Sequence, residues 1–156
     1  MSLHSIAVIV VHLALAGIGA WLIVIDARTH RLPNRIVLPT LGALVLLAII
    51  EALATGDGER LVRALLGGLA LGAFYAVMHL ISRQGMGGGD VKLAAVIGLV
   101  LAWHGWQVLV LGAAAAFLLG ALYAIVLMLL RRANRHTRIA FGPWMIIGAV
   151  LAIGLA

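Results

Sequence analysis

The chain has 156 residues, of which 65% are hydrophobic and 10% charged, with a mean hydropathy of +1.20. Soluble domains carry about 25% charged residues, so the composition excludes an ordinary water-soluble domain and points to an integral membrane protein. No soluble basic domain carries the net charge of +6, which argues against nucleic acid as a partner, and the absence of cysteine excludes disulfides, thiolate zinc sites and a cysteine nucleophile.

A spanning helix needs about 20 mainly apolar residues. Residues 4–25 meet that length and end on Asp26. They include Ala14-Leu15-Ala16, a small-residue pattern of the kind at which leaders are cleaved. No Lys or Arg precedes Arg28, however, and the apolar run continues to Ile25, so the segment is read as a retained span. A polar turn from Asp26 to Arg35 leads to a second span, 36–53, with Pro39 in its first turns, where proline is best tolerated. A loop with Glu51, Asp57 and Glu59 precedes a third span, 61–81. Next comes the run Gln84-Gly85-Met86-Gly87-Gly88-Gly89-Asp90-Val91-Lys92, followed at once by a short fourth span, 91–103. Trp103-His104-Gly105-Trp106 reads as an interfacial turn, since tryptophan favours the headgroup level. A fifth span covers 108–130, a basic loop 131–138, and a last span 139–155, with Gly142-Pro143 near its start as a helix-start device. The expectation is one all-α membrane domain over residues 1–156 with six transmembrane helices.

Six spans place the loops alternately on two sides. One side receives Arg28, Arg31, Arg35, Arg83, Lys92, Arg131, Arg132, Arg135 and Arg138; the other receives only Arg60 and Arg63. By the positive-inside rule the first side is cytoplasmic and both termini are extracytoplasmic. Glu51, Asp57 and Glu59 then fall outside, where solvation explains them. Asp26 and Asp90 are the only acids on the cytoplasmic side, each at the end of a different span. From Asp90 to Trp103 a helix covers only about 20 Å, less than a hydrocarbon core of about 30 Å. Asp90 is therefore expected in a recess below the inner interface. An ionisable residue at such depth is rare and usually functional.

Two carboxylates in one site can share a proton. The charged one takes a proton from water as it attacks an amide carbonyl, and the protonated one donates to the carbonyl oxygen, with no metal, cofactor or covalent intermediate. Competing chemistries fare worse. Ser2, Ser5 and Ser82 sit in no nucleophile motif, and the six histidines show no paired zinc spacing. His12 and His79 lie within spans and read as packing residues; His30 and His136 read as solvated.

Asp26 followed by Arg31-Leu32-Pro33-Asn34, then Gly87-Gly88-Gly89-Asp90-Val91-Lys92, then Ile139-Ala140-Phe141-Gly142-Pro143 resembles the type IV prepilin peptidases, GxGD-type intramembrane aspartyl proteases of bacterial inner membranes. The resemblance implies that Asp26 and Asp90 are catalytic and that no metal or cofactor takes part. It implies as substrate the short basic leader of a prepilin or pseudopilin, cleaved on the cytoplasmic side. With a first span starting at residue 4 and no cysteine, the chain is similar to the short peptidase-only branch that processes tight-adherence pilins, and N-methylation is not expected. Pro33, Asn34, Gly87, Gly89, Lys92, Gly142 and Pro143 are candidate substrate-binding or site-shaping residues. Asn34 is expected to cap the second span. Lys92, about 160° or more round the helix from Asp90, is expected to meet lipid phosphate, substrate backbone or a loop carbonyl. The competing class is a small ion-coupled transporter whose aspartates bind protons, but no inverted repeat or second broken span supports it.

Overall fold

The computed structural model describes residues 3–29, 32–82, 87–132 and 140–156, with side chains from residue 13 onward. His30 and Arg31, residues 83–86, residues 133–139 and the side chain of His12 lie outside the described residues. Among the described residues the structure is all-helical. The helices are α1 (Leu3–Thr29), α2 (Asn34–Thr55), α3 (Gly58–Ile81), α4 (Gly88–His104), α5 (Trp106–Leu129) and α6 (Gly142–Gly154). Three of them, α2, α3 and α5, are long and apolar enough to cross a membrane. Leu53, Leu69, Leu118 and Leu129 project exposed from these three, an apolar outer surface that suits lipid rather than water.

Local chemistry sets the breaks. Gly56 takes φ 74°, a left-handed conformation that a residue with a Cβ resists, and its N–H closes α2 on the Ala52 carbonyl. One residue later Asp57 Oδ1 accepts from the Arg60 N–H at 3.0 Å and caps α3. At the far end of α4, Arg63 donates to the carbonyls of Ala102 and Trp103 at 2.8 and 3.1 Å, and the Arg60 guanidinium lies 5.7 Å from the Trp103 ring centre. The last carbonyls of α4 are thereby satisfied from α3, which pins the end of the helix opposite Asp90.

α3 and α4 form the most closely packed pair. Gly67 faces Gly98 and Ala102, Gly68 faces Ala95 and Leu99, and Gly72 faces Ala95, so the two helices run antiparallel along a seam of small residues. Such seams let backbones approach where lipid supplies no hydrophobic drive between helices. α5 and α6 pair in the same way, Gly148 against Gly112 and Ala116, and Gly120 against Phe141. The close approach of Gly19 to Ile146 and of Asp26 to Gly142 sets α1 antiparallel to α6. Leu32 on Gly89 and Asn34 on Lys92 align α2 with α4. The C-terminal ends of α1, α3 and α5 and the N-terminal ends of α2, α4 and α6 therefore gather at one end of the bundle.

Most helix ends lie a few residues from the expected bounds, Glu51 falls within α2 rather than in a loop, and the two differences beside the aspartates run in the same sense. α1 does not stop at Asp26 but continues one turn to Thr29, and α4 begins at Gly88 rather than after Asp90. Both aspartates are thus helical residues, not loop residues. The α1 extension carries Thr29, whose hydroxyl returns to the Ile25 carbonyl at 2.8 Å. Gly88 and Gly89 accept helical geometry because Asp90 caps the turn they start.

Candidate active site

Asp26 and Asp90 are the only charged side chains buried among the described residues, at 4% and 7% exposure. Each is held by a backbone N–H from a glycine. Gly142 donates to Asp26 Oδ2 at 3.1 Å, reaching from the start of α6 to the last turn of α1. Gly87 donates to Asp90 Oδ2 at 3.0 Å, a bond at the N-terminus of α4, where orphan N–H groups and the helix dipole favour a carboxylate. The two aspartates are close enough for their charges to interact. Leu93, one turn beyond Asp90, packs beside the same face of Gly142 as the Asp26 carboxylate, so α1, α4 and α6 meet at this point. Side chains 64 positions apart in sequence thus form one buried acidic pair.

The other candidate residues surround the pair in different ways. A Cβ on Gly142 would stand 2.5 Å from Asp26 Oδ2, so only glycine leaves room for the carboxylate against that backbone. Pro143 occupies the first turn of α6, where its missing N–H costs nothing, as expected from Gly142-Pro143. A Cβ on Gly89 would press on Leu32 at 2.8 Å, so this glycine seats the segment before α2 on the first turn of α4. Pro33, not Asn34, is the N-cap residue of α2, with its carbonyl accepting from the Ile36 and Val37 N–H groups at 3.0 and 3.2 Å. Asn34 begins the helix, and its Oδ1 accepts from Lys92 Nζ at 2.7 Å. The expected cap at Asn34 is therefore corrected. Proline's fixed φ already sets the turn, which leaves the asparagine amide to bridge α2 to α4.

Three residues near the pair were not singled out as site residues from sequence. Leu32 is buried against Gly89. His79, read as a packing residue, approaches Gly88 at the start of α4 and lies within electrostatic reach of Asp90. Tyr75 is 1% exposed, also within electrostatic reach of Asp90, and its hydroxyl has no hydrogen-bond partner. The available signal was the spacing of Ala64, Gly68, Leu71 and Tyr75 on one face of a helix, which puts the only phenol of α3 on the side that packs.

Among the described residues no three His, Cys, Asp or Glu side chains come together in a way that could hold a metal ion. The pair can bind a water and exchange protons with it and with a bound carbonyl.

The chain is 37% identical over 130 residues to the prepilin leader peptidase/N-methyltransferase of Pseudomonas aeruginosa, covering 83% of this chain and 43% of that protein. It is 38% identical over 133 residues to the protein of the same name from Escherichia coli K12, covering 84% and 56%. With the Dickeya chrysanthemi protein it shares 33% over 140 residues, covering 89% and 48%. The chain thus spans about half the length of these relatives. No solved structure matches it. The profile of the type IV leader peptidase family matches residues 13–125, a stretch that holds both aspartates and both glycine-rich and proline turns beside them, and the chain belongs to that family.

Proposed function

We propose that the protein is an intramembrane aspartyl endopeptidase that removes the short basic leader of a prepilin or pseudopilin at the cytoplasmic face of a bacterial inner membrane. The observation that carries this reading is the pair of buried carboxylates, brought from two helices to one end of the bundle in a chain with no other buried charge among its described residues. Burying charged groups is costly, and at membrane depth ionisable residues mark functional sites. The names of the relatives supply the substrate class.

In this mechanism a water molecule sits between Asp26 and Asp90. One carboxylate takes a proton from the water as its oxygen bonds to the scissile carbonyl carbon. The other carboxyl gives its proton to the carbonyl oxygen. The C–N bond then breaks as the departing amine takes up a proton from the pair. The Gly87 N–H holds the Asp90 carboxylate and the Gly142 N–H that of Asp26. Six transmembrane helices with both termini outside bring this end of the bundle to the cytoplasm, where the basic leader lies. The reading covers the peptidase reaction alone; the cleaved product is expected to carry an unmethylated N-terminus, read from its mass.

The test is cleavage of a prepilin peptide that retains its hydrophobic segment, by detergent-purified enzyme, scored by mass. Asp26→Asn and Asp90→Asn should each abolish cleavage while remaining folded and monodisperse. The double variant should be little worse than either single one, because groups acting as a unit are not additive. Asp57→Asn, which preserves the α3 cap, and Glu59→Gln should stay within a few-fold of the parent, and EDTA should not inhibit. Cleavage by a well-folded Asp26→Asn or Asp90→Asn enzyme would sink the aspartyl mechanism. If the parent left prepilins of several classes uncut, proton-coupled transport would become the better reading.

A further inference from the structure

The phenol of Tyr75 is the one buried side-chain polar atom among the described residues with no partner, and its position is not arbitrary. In the antiparallel register of α3 and α4, Gly72 faces Ala95 and His79 approaches Gly88. Tyr75 lies between these two levels, so it stands opposite the first turn of α4, which contains Asp90. Its ring is locked by aromatic neighbours from three elements: Phe74 at 5.7 Å between centroids, Phe117 of α5 at 5.6 Å, and Phe141 at 6.0 Å. Phe141 directly precedes Gly142, whose N–H holds Asp26. The ring is thus fixed opposite the turn that carries Asp90 and against the residue before Gly142, while Tyr75 is 1% exposed and its hydroxyl has no hydrogen-bond partner.

A buried hydroxyl without a partner is destabilising, and phenylalanine would fill the same space without that cost. The donors around the pair show what the hydroxyl adds. The Gly142 and Gly87 N–H groups are both directed to aspartate oxygens. Neither serves the substrate carbonyl oxygen, which gains charge as water adds, takes its proton from one carboxyl of the pair and can accept a second hydrogen bond. We propose that Tyr75 is a further catalytic residue, donating its phenolic proton in a hydrogen bond to that oxygen in the tetrahedral intermediate. This inference rests on the peptidase reading above. A neutral, pre-oriented donor in a water-poor site suits the role, because it needs no reorganisation as the charge forms. The aromatic neighbours supply the orientation.

Tyr75→Phe keeps the ring and its packing and removes only the hydroxyl. With a prepilin peptide as substrate, kcat should fall about 10- to 100-fold, the weight of one hydrogen bond to a group gaining charge. KM should stay within about three-fold, because the bond is made only at the transition state. A peptide in which a secondary alcohol replaces the scissile carbonyl should bind Tyr75→Phe more weakly by a similar factor. The thermal midpoint should be unchanged or higher, since an unsatisfied hydroxyl has gone. A purely structural tyrosine would instead leave kcat and the alcohol's affinity untouched. A folded Tyr75→Phe enzyme with kcat within about two-fold of the parent overturns the inference, as does a change in KM alone. If the parent and Tyr75→Phe cleave equally while Asp26→Asn does not, only the role of Tyr75 falls. If the parent cleaves no prepilin peptide, the peptidase reading falls and Tyr75 with it.

Discussion

Gly142 is the residue at which the site tolerates least. A methyl group there would meet the Asp26 carboxylate, and the Leu93 side chain 3.5 Å away leaves little room for that carboxylate to retreat toward α4. Gly142→Ala is therefore expected to displace Asp26 from its N–H donor. Overpacking of this kind costs about 1–3 kcal/mol in stability, and misplacing a reacting group by an ångström lowers the rate about 100-fold. Peptide cleavage and thermal unfolding of the purified variant measure the two separately. Gly42→Ala is the control, because a Cβ at Gly42 meets nothing within 4 Å, and it should retain activity. Gly89→Ala should fall between the two: the Leu32 side chain it presses on can shift by some tenths of an ångström, though the Leu32 backbone behind it cannot.

At the scale of elements, α4 is the helix to which the site is attached. Its C-terminal carbonyls are held by Arg63, its middle is seated on the glycines of α3, and its first turn is tied to α2 through Lys92 and Asn34. The last tie is partly exposed, so by itself it contributes little to stability. Its value lies in fixing the segment with Leu32 and Pro33 on the first turn of α4, where Leu32 meets Gly89. Lys92→Met and Asn34→Ala should each lower cleavage several-fold with little change in thermal midpoint. The double variant should be no worse than the worse single one, since both remove the same bridge; a double-mutant cycle in kcat/KM measures this. Equal and additive losses would mean that the two residues act separately. The seam is a different case: Gly98→Leu would drive a branched side chain into the Gly67 backbone, and should lower the folded yield itself.

For the whole molecule, the distribution of positive charge predicts which end faces the cytoplasm. Arg28, Arg35, Lys92, Arg131 and Arg132 stand at the end of the bundle that carries the aspartates, and Arg60 and Arg63 at the other. In this cysteine-free chain, Gly58→Cys and Arg132→Cys should react with a membrane-impermeant thiol reagent from opposite sides. Arg132 is exposed, and a side chain at Gly58 meets nothing within 4 Å, so neither change should disturb packing. Labelling of both from one side would contradict the six-span topology, and with it the cytoplasmic position of the pair.

Hydropathy and charge determined much of this from sequence alone. In lipid every backbone polar group must be satisfied within its own helix, so a long apolar run reads directly as an element, and a carboxylate at the end of such a run stands out. That is why six helices and the meeting of Asp26 with Asp90 at one end of the bundle were legible, while the sides of the loops are the expectation that the thiol labelling tests. The helix ends around the aspartates were not. α1 continues to Thr29 and α4 starts at Gly88 because Asp26 and Asp90 accept backbone bonds, one of them from Gly142, 116 residues away. The rotation of each helix was hidden for a related reason. These helices are apolar on nearly every side, so no polar stripe tells which face meets a neighbour and which meets lipid. Small residues and close packing decide that instead. Only the assembled bundle could therefore turn Tyr75 toward Asp90, set Gly142 against Asp26 and bring Lys92 to Asn34.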